Sequence, residues 1–257
     1  MKILVFGDIV GRAGREAVYE YLKTHKTKYD LIIANGENSA GGFGLTNKVG
    51  DELFKIGIDV ITGGNHIWDK RDIVYYMNKG LNLVRPLNYG VDVPGVGFVI
   101  LERLGKKICV LNLQGRVFMP PIDCPFKEIK KWLEEFKSQF DILIVDIHAE
   151  ATSEKIALGW YLDGEASLVF GTHTHVQTAD EKISPKGTAY ISDVGMCGSF
   201  DGILGMKKEA IIQKFLDNLP TRFEPDENDR GINAISVTID NVTGHAFSIE
   251  RIQMRNM

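Results

Sequence analysis

Four of the six histidines stand where apolar runs of the chain end. His148 closes DILIVDIH, and His173 and His175 lie two positions apart in FGTHTHVQ. Asn65 and His66 follow IDVITGG. Asp8 follows KILVFG, and Glu37 and Asn38 follow LIIANG. Carboxylate, imidazole and amide oxygen together suit manganese, iron or zinc, whereas an all-oxygen set would point to magnesium or calcium. No cysteine is in the set, which argues against a structural zinc cluster. A carboxylate has two oxygens and can bridge two cations. Two such ions ~3.5–4 Å apart hold a hydroxide nucleophile and stabilise an in-line displacement at phosphorus. The chemistry these residues suggest is a dinuclear metal centre acting on a phosphate ester.

Each residue also has an ordinary role, and singly that role is the better reading. Asp8 suits a helix cap. Glu37 suits a solvated loop, and Asn38 and Asn65 suit turns, where Asn tolerates left-handed backbone. His148 suits a hydrogen-bonded strand end. Eight such coincidences, all at strand ends, make a poorer account than one shared site. The THTH pair adds weight, because residues two apart in a strand face the same side. If the chain has already turned there, the two imidazoles reach different metals.

The elements that would position these groups follow from hydrophobic periodicity. KILVFG and LIIANG are short continuous apolar runs of the kind buried on both faces. RAGREAVYEYLKTHK, NKVGDELFKIG, KRDIVYYMNKG, FKEIKKWLEEFKSQF and KKEAIIQKFL read as helices, the fourth with a clean amphipathic pattern. IDVITGGNH reads as strand then loop, and DILIVDIH, SLVFGTHTH and TAYISDVG read as strands ending in polar residues. GFVILERL and KICVLNL form a hairpin around Gly105, and INAISVTID and AFSIERIQ another around NVTG. Segment 115–126, GRVFMPPIDCPF, holds three of the eight prolines and reads as a surface loop near the strand ends. This alternation implies an α/β domain spanning 1–257, with a mixed sheet or two stacked sheets covered by helices. In such folds the crevice beyond the carboxyl ends of parallel strands takes the ligand.

Composition narrows the class further. The chain has 257 residues, 44% hydrophobic, with a net charge of -4, enough to bury a large core. Lysines are dispersed, so duplex nucleic acid is not an expected partner. Cys109, Cys124 and Cys197 are odd in number and lack CxxC spacing, which reads as reduced thiols. The five apolar residues before Gly7 are too few for a signal-peptide core, and no run reaches membrane-spanning length. A cytoplasmic enzyme is expected, with homo-oligomerisation left open. A dinucleotide-binding reading of the first strand and helix fails on spacing. Gly7, Gly11 and Gly14 give GxxxGxxG, and Asp8 would meet the pyrophosphate.

GDIVG, NGEN, GGNHIWD, IHAE and GTHTHVQTAD, in this order, resemble the motifs of the calcineurin-like metallophosphoesterases. More narrowly, the chain resembles the bacterial YmdB-like branch, which hydrolyses cyclic nucleotides. The likeness runs over nearly the whole chain and includes NLQGRVFM, SDVGMCGSFDGILGM and LPTRFEP. The superfamily pattern runs GDxHG, GDxxD, GNHE, a lone histidine and GHxH. Here Val10 stands where the first motif has histidine, Glu37 replaces the bridging aspartate, and Ile67 follows His66 in place of the usual acid. Thr172 also departs from the pattern before His173. Asn38 offers an amide oxygen for the lost imidazole, and Trp68 and Asp69 are left to orient His66. These departures are those expected of the narrower branch.

The resemblance implies a four-layer α-β-β-α sandwich with two mixed sheets flanked by helices. It implies one metal held by Asp8, Glu37, Asn38 and His175, and a second held by Glu37, Asn65, His148 and His173, with Glu37 bridging. It implies iron or manganese, and 2′,3′-cyclic nucleotides as substrates, with 3′,5′-cyclic ones as a further class. The leaving alkoxide needs a proton, and His66, beside a ligand but not counted as one, is assigned as general acid. The alternative for His66 is to orient a ligand. The glycine-rich loops GGFGLT and DVGMCGSFDGILGM suit either a nucleotide pocket or simple turn geometry. Arg116 is left outside the catalytic set. Two other functions use the same residues: a nucleotide-sensing regulatory protein with slow hydrolysis, and a phosphomonoesterase or protein phosphatase.

Overall fold

The computed structural model describes residues 1–257. Its first sheet is built on β1 (Lys2–Ile9), β2 (Leu31–Asn35) and β3 (Val60–Thr62), which are parallel. Beyond β1 lie β10 (Met196–Ser199), parallel to it, then antiparallel β11 (Arg230–Ile239) and β12 (Ala246–Met254). In the second sheet β5 (Lys106–Gln114), β6 (Ile142–His148), β7 (Leu168–Thr172) and β9 (Ala189–Ile191) are parallel. Antiparallel β4 (Phe98–Arg103) and β8 (Lys182–Ile183) close its two edges. Both sheets are mixed, as the resemblance implied.

Alternation along the strands sorts the core into layers, because successive strand residues face opposite sides. Ile3, Val5, Ile33 and Val60 of the first sheet pack on Val110, Ile144 and Phe170 of the second. Leu4 and Phe6 point the other way. They meet Ala17, Val18 and Leu22 of α1 (Gly11–His25) and Leu53 of α2 (Asn47–Ile56). Tyr76 of α3 (Ile73–Met77) joins the same layer. On the far side, Leu111, Val145 and Ile147 pack on Ile129 and Trp132 of α4 (Pro125–Phe136) and Leu158 of α5 (Thr152–Tyr161). Helix, sheet, sheet and helix are thus separated by three apolar layers. That burial on both faces is why the strands read as unbroken apolar runs. Where the register of β1 against β2 shifts between Phe6 and Asp8, a Cβ on Gly7 would lie 1.9 Å from the Gly195 carbonyl oxygen, so only glycine fits.

Two boundaries differ from the periodicity reading, and one helix is absent from it. SLVFGTHTH does not continue as a strand: β7 ends at Thr172, and His173 and His175 have φ of 95° and 65°. TAYISDVG is strand only as far as Ile191, where β9 ends; residues 192–195 cross to the other sheet, and β10 begins there at Met196. Helix α5 carries no clear amphipathic pattern because Glu154 and Lys155 are themselves buried. The final helix, α6 (Lys208–Asp217), packs only Ile211 firmly inward.

Candidate metal centre

The carboxyl ends of β1, β2 and β3 in one sheet, and of β6 and β7 in the other, open on the same rim. All eight residues singled out from the sequence lie there. Asp8 is the penultimate residue of β1, and its Oδ2 accepts a hydrogen bond from the His173 backbone N–H at 3.1 Å, joining the two sheets. It caps no helix: α1 has Val10 at its N-cap and no side-chain cap. Glu37 and His148 are buried, 3.0 Å apart. His148 Nε2 lies 3.0 Å from Asn65 Oδ1 and 3.0 Å from His173 Nδ1. Glu37, His148 and His173 offer donor atoms all within 4.8 Å of one another. His175 Nε2 lies 3.9 Å from Asp8 Oδ1 on the other side of the group.

His148, His173 and His175 each turn one nitrogen outward to a fixed partner and the other inward to the cluster. His148 Nδ1 is 2.9 Å from Thr172 Oγ1, whose hydroxyl donates to Asp146 Oδ1 at 2.7 Å. Asp146 also accepts from the Thr62 hydroxyl and the Asn35 amide. His175 Nδ1–H donates to the Leu204 carbonyl at 3.1 Å. His173 Nε2 lies 3.2 Å from Glu150 Oε2. This is how metal-ligating histidines are oriented: the outer N–H goes to a carbonyl, hydroxyl or carboxylate, and the inner lone pair faces the metal.

The group fits a cation. Asp8 Oδ1 and Asn38 Oδ1 are buried without a hydrogen-bond partner, although the Asn38 amide N–H donates to the Gly42 carbonyl at 3.1 Å. Buried oxygens of this kind are costly unless something positive meets them. Burial pushes the Asp8 carboxyl up, opposed by His175 and His148. Burial opposes the charge on Glu37 too, but His148 beside it holds the carboxyl down at about 2. Burial lowers His148, yet Glu37 and Asp8 outweigh it and lift the imidazole to about 9. Burial and the His148 charge hold His173 down to about 3, which leaves it neutral with a free lone pair. The carboxylates thus draw positive charge into their midst. Gly64 makes the space: a Cβ there would lie 2.4 Å from His148 Nε2 and 2.5 Å from Glu37 Oε2.

His66 stands at the mouth, partly exposed. Its backbone N–H donates to Glu37 Oε2 at 2.8 Å, and its Nδ1 lies 2.9 Å from Asp69 Oδ2. The acid absent from position 67 is thus supplied from position 69. The ring lines a cavity of about 210 Å³ together with Glu37, Asn38, His173 and His175.

Several supporting residues escaped the sequence reading. Asp146 was legible in principle, since it lies two before His148 and so shares its face of β6. Burial pushes its carboxyl up to about 7. Lys155 and Asp193 gave no local signal, being far apart in sequence. Lys155 Nζ donates to Asp193 Oδ2 at 2.7 Å, with side chains 2% and 1% exposed. The same carboxylate accepts from the Thr174 N–H at 3.1 Å and its hydroxyl at 2.7 Å. Thr174 lies between the two histidines of the left-handed turn, so this buried pair anchors it.

The YmdB-like protein family matches residues 4–252. The chain belongs to the YmdB-like family. A Bacillus subtilis (strain 168) relative, a 2′,3′-cyclic-nucleotide 2′-phosphodiesterase, is 51% identical over 98% of this chain and 96% of its own. A putative phosphatase/phosphodiesterase of Mycoplasma pneumoniae is 38% identical over 99% of this chain and 93% of its own. Among solved structures, a hypothetical protein from Thermus thermophilus superposes with a TM-score of 0.95 at 39% identity, covering 99% of both chains. A novel phosphatase from Mycoplasma pneumoniae gives a TM-score of 0.93 at 38% identity, covering 99% of this chain and 93% of that one. A putative 5′-nucleotidase from Staphylococcus aureus shares the fold at 14% identity and a TM-score of 0.60, over 98% of this chain and 54% of that one. The YmdB-like chain thus carries the metallophosphoesterase architecture, and the expected narrower branch is the one it matches.

Proposed function

We propose that this protein is a dimetal phosphodiesterase that opens 2′,3′-cyclic nucleotides to 3′-nucleotides, with 3′,5′-cyclic nucleotides as a second substrate class. The observation that carries the reading is the pair of orphaned buried oxygens, Asp8 Oδ1 and Asn38 Oδ1, beside the cluster of Glu37, His148 and His173. Asp8, Glu37, Asn38 and His175 would hold one ion, and Glu37, Asn65, His148 and His173 the other, with Glu37 shared. Imidazole, carboxylate and amide oxygen suit iron or manganese. When bound, such cations supply Lewis acidity, withdrawing charge from phosphoryl oxygens and lowering the pKa of water.

The chain's own groups do the rest. Thr172 and Asp146 fix the ring of His148, the Leu204 carbonyl fixes His175, and Glu150 fixes His173. Hydrolysis adds water across one P–O bond: hydroxide oxygen joins phosphorus, the bond to the 2′ oxygen breaks, and that oxygen takes a proton. His66 donates it. Asp69 accepts from Nδ1–H and balances the charge of the protonated ring, leaving Nε2–H as the proton available to the leaving group. The three free cysteines suit a reducing, cytoplasmic setting.

The test is metal analysis of the purified protein, then assay on 2′,3′- and 3′,5′-cyclic AMP and GMP. Fewer than two ions per chain, with no gain on adding manganese or iron, would sink the dimetal reading. His66→Ala is expected to keep its metal and lose about 10²–10⁴-fold in turnover on cyclic nucleotides, the usual worth of a positioned acid. A nitrophenyl diester, whose leaving group needs no proton, is expected to be affected far less. Equal loss on both counts against the acid role.

A further inference from the structure

The cavity of about 210 Å³ at the centre has two unlike sides. One carries the histidines and carboxylate already described. The other is apolar: Phe43, Ile203, Leu204, Met206 and Phe223, with no charged side chain among them. Phe43 comes from the glycine-rich loop after β2, and Ile203, Leu204 and Met206 from the segment after β10. Phe43, Ile203 and Phe223 are half-buried and rest on a small separate cluster of Val10, Met196, Met206 and Ile211. The Phe43 ring meets the His66 ring edge-on, with centroids 5.1 Å apart.

Both wall segments are tied to proposed metal ligands. The Asn38 amide donates to the Gly42 carbonyl at 3.1 Å, next to Phe43. His175 Nδ1–H donates to the carbonyl of Leu204 itself at 3.1 Å. The apolar wall is therefore held at a set distance from the phosphate-binding side.

We propose that this apolar wall, with Phe43 at its centre, is the seat of the substrate's nucleobase, and that it holds the base by stacking rather than by hydrogen-bonded readout. The inference rests on the cyclic-nucleotide reading above. Such a substrate has an anionic phosphate at one end and a flat, uncharged ring at the other, matching the two sides of the cavity. The whole cavity, about 210 Å³, is below the roughly 300–1,000 Å³ of pockets for drug-sized ligands, so it encloses only part of a nucleotide. Stacking on an aromatic side chain tolerates any base, because every base has a π-face. The enzyme should therefore discriminate weakly among bases.

The experiment compares 2′,3′-cyclic AMP with glycerol 1,2-cyclic phosphate, which presents the same five-membered ring phosphate without a base. Phe43→Ala is expected to lower kcat/KM on the nucleotide about 5- to 150-fold, the range of one lost base stack. The loss should fall mainly in KM, be at least about fivefold smaller on the base-free substrate, and be largely restored in Phe43→Tyr. Wild-type rates on the adenine, guanine, cytosine and uracil cyclic nucleotides should agree within about tenfold. Equal loss on both substrates, no loss on either, or a preference above about 100-fold for one base overturns the proposal. If the wild type hydrolyses neither compound, the phosphodiesterase reading fails, and binding of 3′-AMP to the metal-loaded protein decides the subsite. Weakening of at least about fivefold by Phe43→Ala, with glycerol phosphate binding unchanged, supports it, and no weakening overturns it.

Discussion

Replacing Lys155 with methionine removes a charge from one of the least accessible places in the protein while nearly keeping its volume. Lys155 and Asp193 are 2% and 1% exposed and 2.7 Å apart. Without the ammonium, the Asp193 carboxylate keeps the Thr174 N–H and hydroxyl and the Gly195 N–H as donors. Those bonds cannot replace a full countercharge, and deleting one partner of a buried pair costs about 3–5 kcal/mol. For a chain of this size that is a Tm loss of roughly 6–20 °C. Part of the cost falls on the turn holding His173 and His175, whose positive φ values need a firm anchor. Urea denaturation of metal-free protein reads the stability term, and a metal titration reads the turn. The Lys155→Met variant is expected to bind metal more weakly. The double variant Lys155→Met, Asp193→Asn, which leaves no unpaired charge, should recover at least half of the lost stability. A single-variant cost below about 1 kcal/mol, or a double variant no better than the single, would refute the reasoning.

Three further outcomes follow from distances at the same centre. Gly64→Ala puts a methyl within 2.5 Å of both Glu37 and His148. It is expected to abolish most metal binding and, because the same clash exists without metal, to cost about 1–3 kcal/mol of metal-free stability; normal metal content in the variant would contradict the packing described. Glu150→Gln removes the charge behind His173, 3.2 Å from its Nε2. Metal affinity should fall about 10- to 100-fold, measured by competition with a chelating dye, and an unchanged affinity would assign Glu150 no orienting role. Stripping metal with a chelator should lower Tm by about 5–11 °C relative to protein at 100 times Kd, since binding at that level contributes about 2.7 kcal/mol. Coincident melting curves would show that no ion is bound to the folded state.

The sequence by itself determined which side chains stand where apolar runs stop. Asp8, Glu37, Asn38, Asn65, His66, His148, His173 and His175 are legible because a strand buried on both faces cannot hold them until it ends. The order of their motifs likewise determined the family. Other features depend on partners far apart in the chain, and no local pattern encodes them. Folding alone decides that Asp8 accepts from the His173 N–H, that Asp146 stands behind His148 through Thr172, and that Lys155 neutralises Asp193. It also settled an alternative the residues left open. THTH is not a strand with both rings on one face, because β7 stops at Thr172 and the left-handed backbone that follows turns His173 toward His148 and His175 toward Asp8. The physical reason is that residue type and period act locally. The direction a ligand faces is set by hydrogen bonds between two sheets that meet only in three dimensions.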